Sequence, residues 1–264
     1  MPARSIDGRE AAAMLPNRAN GGQGRIARLL KREKFDPRLI GLVANPYFLI
    51  RRALHQSIAV LAPQAKGRIL DFGCGSKPYR HLFDHAEAYI GLDVGESGHD
   101  HKNSEVDVFY DGKTIPFDAS SFDAVVSFET FEHVFNLEEM LAEIRRVLRP
   151  GGTLLFSVPF AWDEHEAPYD FARYTSFAVP HLLARAGYEV VELRKSGNYV
   201  RSIAQLWIAY LHQEIGVKLG PLRPLIQLGL IFPTTLLGLG TSKILPRSDA
   251  LFHNLVILAR KPDA

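Results

Sequence analysis

From Arg68 onward the chain alternates short apolar runs with helical stripes, and this rhythm constrains the fold more than any other feature. The residues predict strands over Arg68–Phe72, Tyr89–Val94, Val106–Tyr110, Phe122–Phe128, Thr153–Val158, Tyr188–Leu193 and Leu251–Ala259. Leu137, Met140, Leu141, Ile144, Val147 and Leu148 recur at helical spacing between the fourth and fifth of these, with Pro150-Gly151-Gly152 as the expected stop. A further helix is expected over Ser176–Ala186, closed by Gly187. Such alternation implies an α/β fold, with a mainly parallel sheet and helices on both of its faces.

Two stretches stand outside the rhythm. Residues 1–64 read as a flexible tail followed by N-terminal helices, one over Arg25–Lys34 and one opened by Asn45-Pro46 and running to Leu61. Residues 65–264 form the α/β domain, and residues 198–248 interrupt it with a span too long for a plain loop. Ile203–Ile215 looks helical. Leu219–Thr241 is apolar but broken by Pro221, Pro224 and Pro233.

The turn after the first strand reads Asp71-Phe72-Gly73-Cys74-Gly75. Glycines there let a ligand lie against the backbone. Pro78 stands where a dinucleotide-binding fingerprint has its third glycine, which disfavours a nicotinamide-dependent oxidoreductase. Asp93 ends the second strand, where a carboxylate can accept from two ribose hydroxyls, and Asp111-Gly112 follows the third. Strand four ends near Ser127–Glu129. All these residues fall at the carboxyl ends of the strands, where open α/β sheets bind ligands.

These segments resemble the class I S-adenosylmethionine-dependent methyltransferases, and the type-11 group in particular. The resemblance is carried by Ile69–Gly75, Gly91-Leu92-Asp93-Val94, Ile115-Pro116-Phe117 through Asp123, Glu132-His133-Val134 and Arg146–Gly152. It implies a Rossmann-like seven-stranded, mostly parallel sheet with an antiparallel last strand, the 198–248 stretch being an apolar insertion before that strand. It also implies S-adenosylmethionine as cofactor, with Asp71, Gly73 and Gly75 at the methionine end, Asp93 at the ribose and Asp111 at the adenine. Cys74, Gly112 and Glu129 complete the expected cofactor set. A catalytically idle module that uses the pocket as a scaffold is the alternative.

Acceptor chemistry is expected in the polar loop after the fifth strand, Pro159–Thr175, which resembles a stretch in methyltransferases of bacterial cell-surface glycan or lipid pathways. Here His165 is the candidate base, Glu166 or Asp170 its orienting partner, and Arg173 and Tyr174 the holders of the acceptor. The competing reading is a structural loop, with Asp170 paired to Arg173 and His165 capping a backbone group. His133 reads as a pocket-wall residue. The run His99-Asp100-His101 reads as a solvated loop, so no metal site is expected.

Composition sets the remaining expectations. A formal charge of +2 in 264 residues gives no reason to expect nucleic acid. One cysteine, Cys74, and an N-terminus without a signal-peptide core point to the cytoplasm. The uncharged run from Pro224 to Thr241, flanked by Lys218, Arg223, Lys243 and Arg247, has three readings: contact with a membrane surface or lipid-like acceptor, cover for the domain's own core, or a homodimer interface through 203–245. The acceptor is expected to be a small molecule, a glycan or a lipid-linked group.

Overall fold

The computed structural model describes residues 33–95 and 104–263. The expected tail, most of the Arg25–Lys34 helix and His99-Asp100-His101 lie outside the described residues. Strands β1 (Arg68–Phe72), β2 (Ala88–Val94), β3 (Val108–Tyr110), β4 (Phe122–Phe128), β5 (Leu148–Pro159), β6 (Glu189–Ser196) and β7 (Asn254–Arg260) make one sheet of order β3-β2-β1-β4-β5-β7-β6. Strands β1 to β5 pair in parallel. Strand β7 inserts antiparallel between β5 and β6.

Both faces of the sheet are covered, so its strands read as nearly unbroken apolar runs. Side chains alternate between two cores. Leu70, Phe72, Val125, Leu154, Phe156 and Ile257 point to one, and Ile69, Val126, Leu155, Val256 and Leu258 to the other. Helices α1 (Leu39–Ala44), α2 (Phe48–Leu61), α3 (Leu137–Val147), α4 (Ala178–Arg185) and α5 (Tyr199–Tyr210) precede the apolar part of the insertion. The first core is closed by the stripe of α3 and by Val179 and Leu183 of α4; the second by Leu54, Ile58 and Leu61 of α2.

Three boundaries differ from the sequence expectation for physical reasons. Helix α3 ends at Val147 and the chain passes directly into β5, ahead of Pro150-Gly151-Gly152. Those residues are instead an irregularity inside the strand: Leu148 pairs with Phe122, and pairing resumes only at Thr153 with Ala124. Asn45 caps a turn one step early, its Oδ1 accepting from the Tyr47 N–H at 2.8 Å, so α2 opens at Phe48.

The third difference lies in the insertion. Its prolines do not break it; Gly220–Ile244 is one helical stretch. It comprises a 3-10 turn at Gly220–Leu222, α6 (Arg223–Ile226), a π-helical turn at Gln227–Ile231 and α7 (Phe232–Ile244). Pro221, Pro224 and Pro233 each fall in the first turn of their segment, where the missing N–H is not needed. The wide π turn ahead of Pro233 accommodates its ring. Helix α5 and this stretch dock on the N-terminal helices through Phe48, Leu49, Ile208, Leu211 and Ile231. Gln205 fastens the joint, its Oε1 accepting from Ile50 N–H at 3.2 Å and its Nε2 donating to Pro46 O at 2.9 Å.

Candidate functional site

Chain reversal after β1 is achieved by positive φ at Gly73 (68°) and Gly75 (47°). The loop is pinned to β2, because Leu92 O accepts from Gly73 N–H at 2.8 Å and from Cys74 N–H at 3.2 Å. Its two glycines have different duties. A Cβ on Gly73 would stand 2.2 Å from Thr130 Cγ2, so this glycine lets the end of β4 close on the loop. A Cβ on Gly75 would meet nothing within 4 Å, so the space above it is open.

Asp93 is tied to that loop. Its Oδ2 accepts from Gly75 N–H at 2.9 Å and its Oδ1 from Val94 N–H at 2.8 Å. Each carboxylate oxygen can accept more than one hydrogen bond, so both keep capacity for a ligand hydroxyl. Beneath the loop, Asp71 is 3% exposed and accepts from the Tyr89 hydroxyl at 2.7 Å; burial pushes its carboxyl up to about 7. Asp111 is exposed and its Oδ1 accepts from Lys113 and Thr114 N–H at 2.9 Å, which holds the turn containing Gly112 and lowers the acid's pKa.

One expected cofactor residue needs correction, and a second has partners within the protein. Cys74 turns its thiol away from the open space, toward Gly91, where an added Cβ would stand 2.7 Å from Sγ. Only its backbone can line a ligand, and burial pushes the thiol's pKa up. Glu129 sits at the carboxyl edge, where one oxygen accepts from Ser157 Oγ at 2.6 Å and the other from Asn254 Nδ2 at 2.5 Å. It ties β4 to β5 and β7. Burial raises its pKa, against the hydrogen bond from Ser157.

The loop after β5 folds back on the turn Phe131–His133. Phe171 N–H donates to Glu132 O at 2.9 Å, and His133 Nδ1 lies 2.9 Å from Tyr169 O. Asp170 forms a two-pronged pair with Arg173, with contacts of 2.5 and 2.7 Å, and this pulls the Asp170 carboxyl down to about 2. Arg173 also donates to Asp163 O and Ala172 O. Both of its terminal nitrogens are therefore engaged within the loop, as in the structural reading, while its buried Nε has no hydrogen-bond partner. Tyr174 packs its ring against the core beside Phe131 and Leu182, which places it in a structural role as well. His165 remains in a position to act. It is half-buried, its Nδ1 stands 3.3 Å from Asp170 Oδ2, and its ring meets His133 edge-on at 4.9 Å. Glu166 Oε2 lies 3.7 Å from His133 Nε2.

Glu132, Ser157 and Asn254 were absent from the expected set. Glu132 is fully buried, and burial drives its pKa well upward. Asn254 meets Glu129 across 125 residues of sequence, a distance over which no local pattern is readable. A cleft of about 420 Å³ lined by Gly67, Asp123 and Arg149 lies at the opposite, amino-terminal edge of the strands, where the Asp123–Arg149 ion pair fills its floor.

Comparison with known proteins agrees with this geometry. Residues 70–156 match a methyltransferase domain model. Over 142 residues the chain is 32% identical to a Mycolicibacterium smegmatis protein described as an S-adenosylmethionine-dependent methyltransferase, covering 49% of this chain and 55% of that one. It is 35% identical over 100 residues to the phthiotriol/phenolphthiotriol dimycocerosates methyltransferase of Mycobacterium leprae, covering 34% and 37% of the two chains. The chain thus spans about half the length of these relatives or less. The crystal structure of the [4+2]-cyclase SpnF shares the fold, with a TM-score of 0.50, 18% identity and coverage of 80% and 81%.

S-adenosylmethionine is the cofactor of that family, and the residues present fit it. The open space over Gly75 can take the ligand against the backbone, and Asp93 faces it with acceptor capacity. Between β1 and β2 there is only the 3-10 turn Arg80–Phe83, so the helix N-terminus on which a dinucleotide pyrophosphate rests is missing from this turn. Over residues 70–156 the chain is thus similar to the S-adenosylmethionine-dependent methyltransferases.

Proposed function

We propose that this protein transfers a methyl group from S-adenosylmethionine to a hydroxyl of a lipid-linked or other amphipathic small molecule. The observation that carries the reading is the meeting of two unlike edges. An open, glycine-floored space beside Asp93 adjoins, through Thr130, a cluster of imidazole and carboxylate groups on the turn Phe131–His133 and the loop after β5. The first suits the methyl donor. The second can take a proton, with His165 backed by Asp170 in the position of base. The acceptor oxygen forms the new O–C bond as the C–S bond breaks, and sulfur leaves with the electron pair as S-adenosylhomocysteine. Alignment of the two reactants supplies most of what the protein must add.

The insertion supports an amphipathic acceptor drawn from a membrane. Gly220–Ile244 is long and apolar enough, by length and composition alone, to cross a bilayer, and only 17% of its most apolar window is buried. Leu225 and Leu237 are 67% and 65% exposed. Aromatic Trp207 and Tyr210 stack at the surface of α5, 5.5 Å apart. An in-plane position is favoured over a span because Ile231, Thr235 and Gly238 are sealed against the body, and Arg201 of α5 donates to Ser242 Oγ at 2.9 Å. Lys218, Arg223, Lys243 and Arg247 border the apolar face and suit anionic headgroups, each contributing about 1 kcal/mol near the surface. On this reading the protein is cytoplasmic and peripheral. The Mycobacterium leprae relative is, by its name, a methyltransferase of phthiotriol and phenolphthiotriol dimycocerosates.

Mass spectrometry of the purified protein, followed by transfer of a labelled methyl group to hydroxylated lipids, tests the proposal. Bound S-adenosylhomocysteine and labelled lipid are expected. Cofactor binding without transfer to any acceptor would favour the idle-module reading. Flotation with anionic vesicles at low salt is expected to carry the protein upward. A sedimenting monomer would remove the membrane component, and a sedimenting dimer would assign the apolar face to a second copy.

A further inference from the structure

The turn Phe131–His133 holds an arrangement that methyl transfer alone leaves unexplained. Glu132 is fully buried, and neither of its carboxylate oxygens has a hydrogen-bond partner. A buried acid is ordinarily paired or hydrogen-bonded, because leaving it bare is costly. Next to it, His133 has a fixed tautomer. Its Nδ1 lies 2.9 Å from the Tyr169 carbonyl, which can only accept, so Nδ1 carries the hydrogen and Nε2 presents a lone pair.

That lone pair is buried and lacks a hydrogen-bond partner. It faces Glu132 Oε1 at 3.8 Å and Glu166 Oε2 at 3.7 Å, distances too long for a hydrogen bond. Glu132 Oε1 and His133 Nε2 are thus two buried acceptors facing each other with no hydrogen bond between them. Two atoms so spaced can both bond an ion at about 2.1 Å, with an angle near ~125° between them, close to tetrahedral or trigonal geometry. One donor atom each from Glu132, His133 and His165 falls within 4.8 Å of the others. The backbone carbonyl on His133 Nδ1 is the kind of outer contact that orients metal-bound histidines.

We propose that Glu132, His133 and His165 bind a divalent first-row transition ion. Mixed imidazole and carboxylate donors suit zinc, manganese, iron or cobalt better than magnesium or calcium. The role of the ion rests on the methyl-transfer reading: bound to the acceptor hydroxyl, it lowers the pKa of that group, and the proton leaves to water. The oxygen then takes the methyl carbon while the C–S pair stays with sulfur. In this form His165 is a ligand, and the ion takes over the task assigned above to its imidazole alone. The other His–carboxylate group, Asp36 with His55 and His81, carries no such inference, since Arg38 and Arg52 already lie on Asp36.

The test is a Co²⁺ titration of chelator-dialysed full-length protein, read by the visible absorption of bound cobalt. Wild type is expected to bind one ion per chain. His133→Ala and His165→Ala are each expected to weaken binding by roughly 100-fold, the upper range for disturbing a metal site. His81→Ala is expected to bind like wild type. No cobalt spectrum in wild type, or a His133→Ala protein that binds as well as wild type, overturns the proposal. So does loss on His81→Ala with retention on His133→Ala. S-adenosylhomocysteine titrated into the same samples separates the two readings. Binding of that ligand without cobalt removes the metal alone, while cobalt without that ligand removes the methyl-transfer reading and leaves the ion site standing.

Discussion

The two halves of the sheet's carboxyl edge are built by different means. On the cofactor side, β1, β2 and the turn after β3 shape the space with backbone: glycines at positive φ, and acids that each accept from N–H groups of nearby turns. On the acceptor side, β4, β5 and β7 meet through side chains, in the Glu129–Ser157–Asn254 and Asp170–Arg173–His165 contacts. A backbone-built site depends on residue types at short fixed spacing. A site built from side chains depends on which distant segments the fold brings together.

The largest effects are expected where that contrast is sharpest. Gly75→Val should project into the open space and lower S-adenosylhomocysteine affinity by at least roughly 100-fold, about 2.7 kcal/mol. Gly73→Val should instead cost stability, because its Cβ has Thr130 at 2.2 Å and no room. Calorimetry and urea unfolding of both variants check the division. A Gly75→Val protein that binds like wild type would break the cofactor half of the comparison.

On the other side the expected loss is in folding. Arg173→Ala leaves Asp170, only 5% exposed, without its guanidinium, and should lower stability by about 2–3 kcal/mol. S-adenosylhomocysteine affinity should stay near normal. If the cofactor is lost and stability kept, Arg173 belongs to the ligand site and the division between the halves is wrong.

A smaller and pH-dependent effect is expected at His253, which opens β7. It is fully buried with neither ring nitrogen hydrogen-bonded, and burial pushes its pKa down to about 3. The folded state holds it neutral, while the unfolded chain takes up a proton below about 6.5. Its contribution is thus present above pH 6.5 and lost as pH falls toward 3, at about 1.4 kcal/mol per pH unit inside that window. His253→Leu should flatten the fall in urea midpoint between pH 6.5 and 5.5. An unchanged slope would mean that the ring reaches a proton donor or water in solution.

The same contrast explains what could be read from the residues beforehand. Strand β4 was expected over Phe122–Phe128 and is found there, because its apolar run is bounded by turn residues on both sides. The Gly73–Gly75 turn and Asp93 were legible for the same local reason. Glu129 stands at the edge as expected, but nothing near it in sequence reveals its contact with Asn254. Arg173 and Tyr174 carry residue types that suit ligand binding and structure equally, and packing assigned them to structure. The prolines of the insertion were read as breaks. Their meaning depended on a π turn whose hydrogen bonds leave no mark in composition. Glu132 and His133 form a pair any reader can see, but their burial under the 163–174 loop is a tertiary fact.

The central claim is that the edge beside Gly75 and Asp93 holds S-adenosylmethionine, and calorimetric titration with S-adenosylhomocysteine tests it most directly. Wild type should bind at a single site, and Asp93→Ala should bind more weakly by about 1.5–3 kcal/mol, the scale of a hydrogen bond to a charged group. A folded wild-type protein that shows no binding, or an Asp93→Ala variant as tight as wild type, would contradict the account.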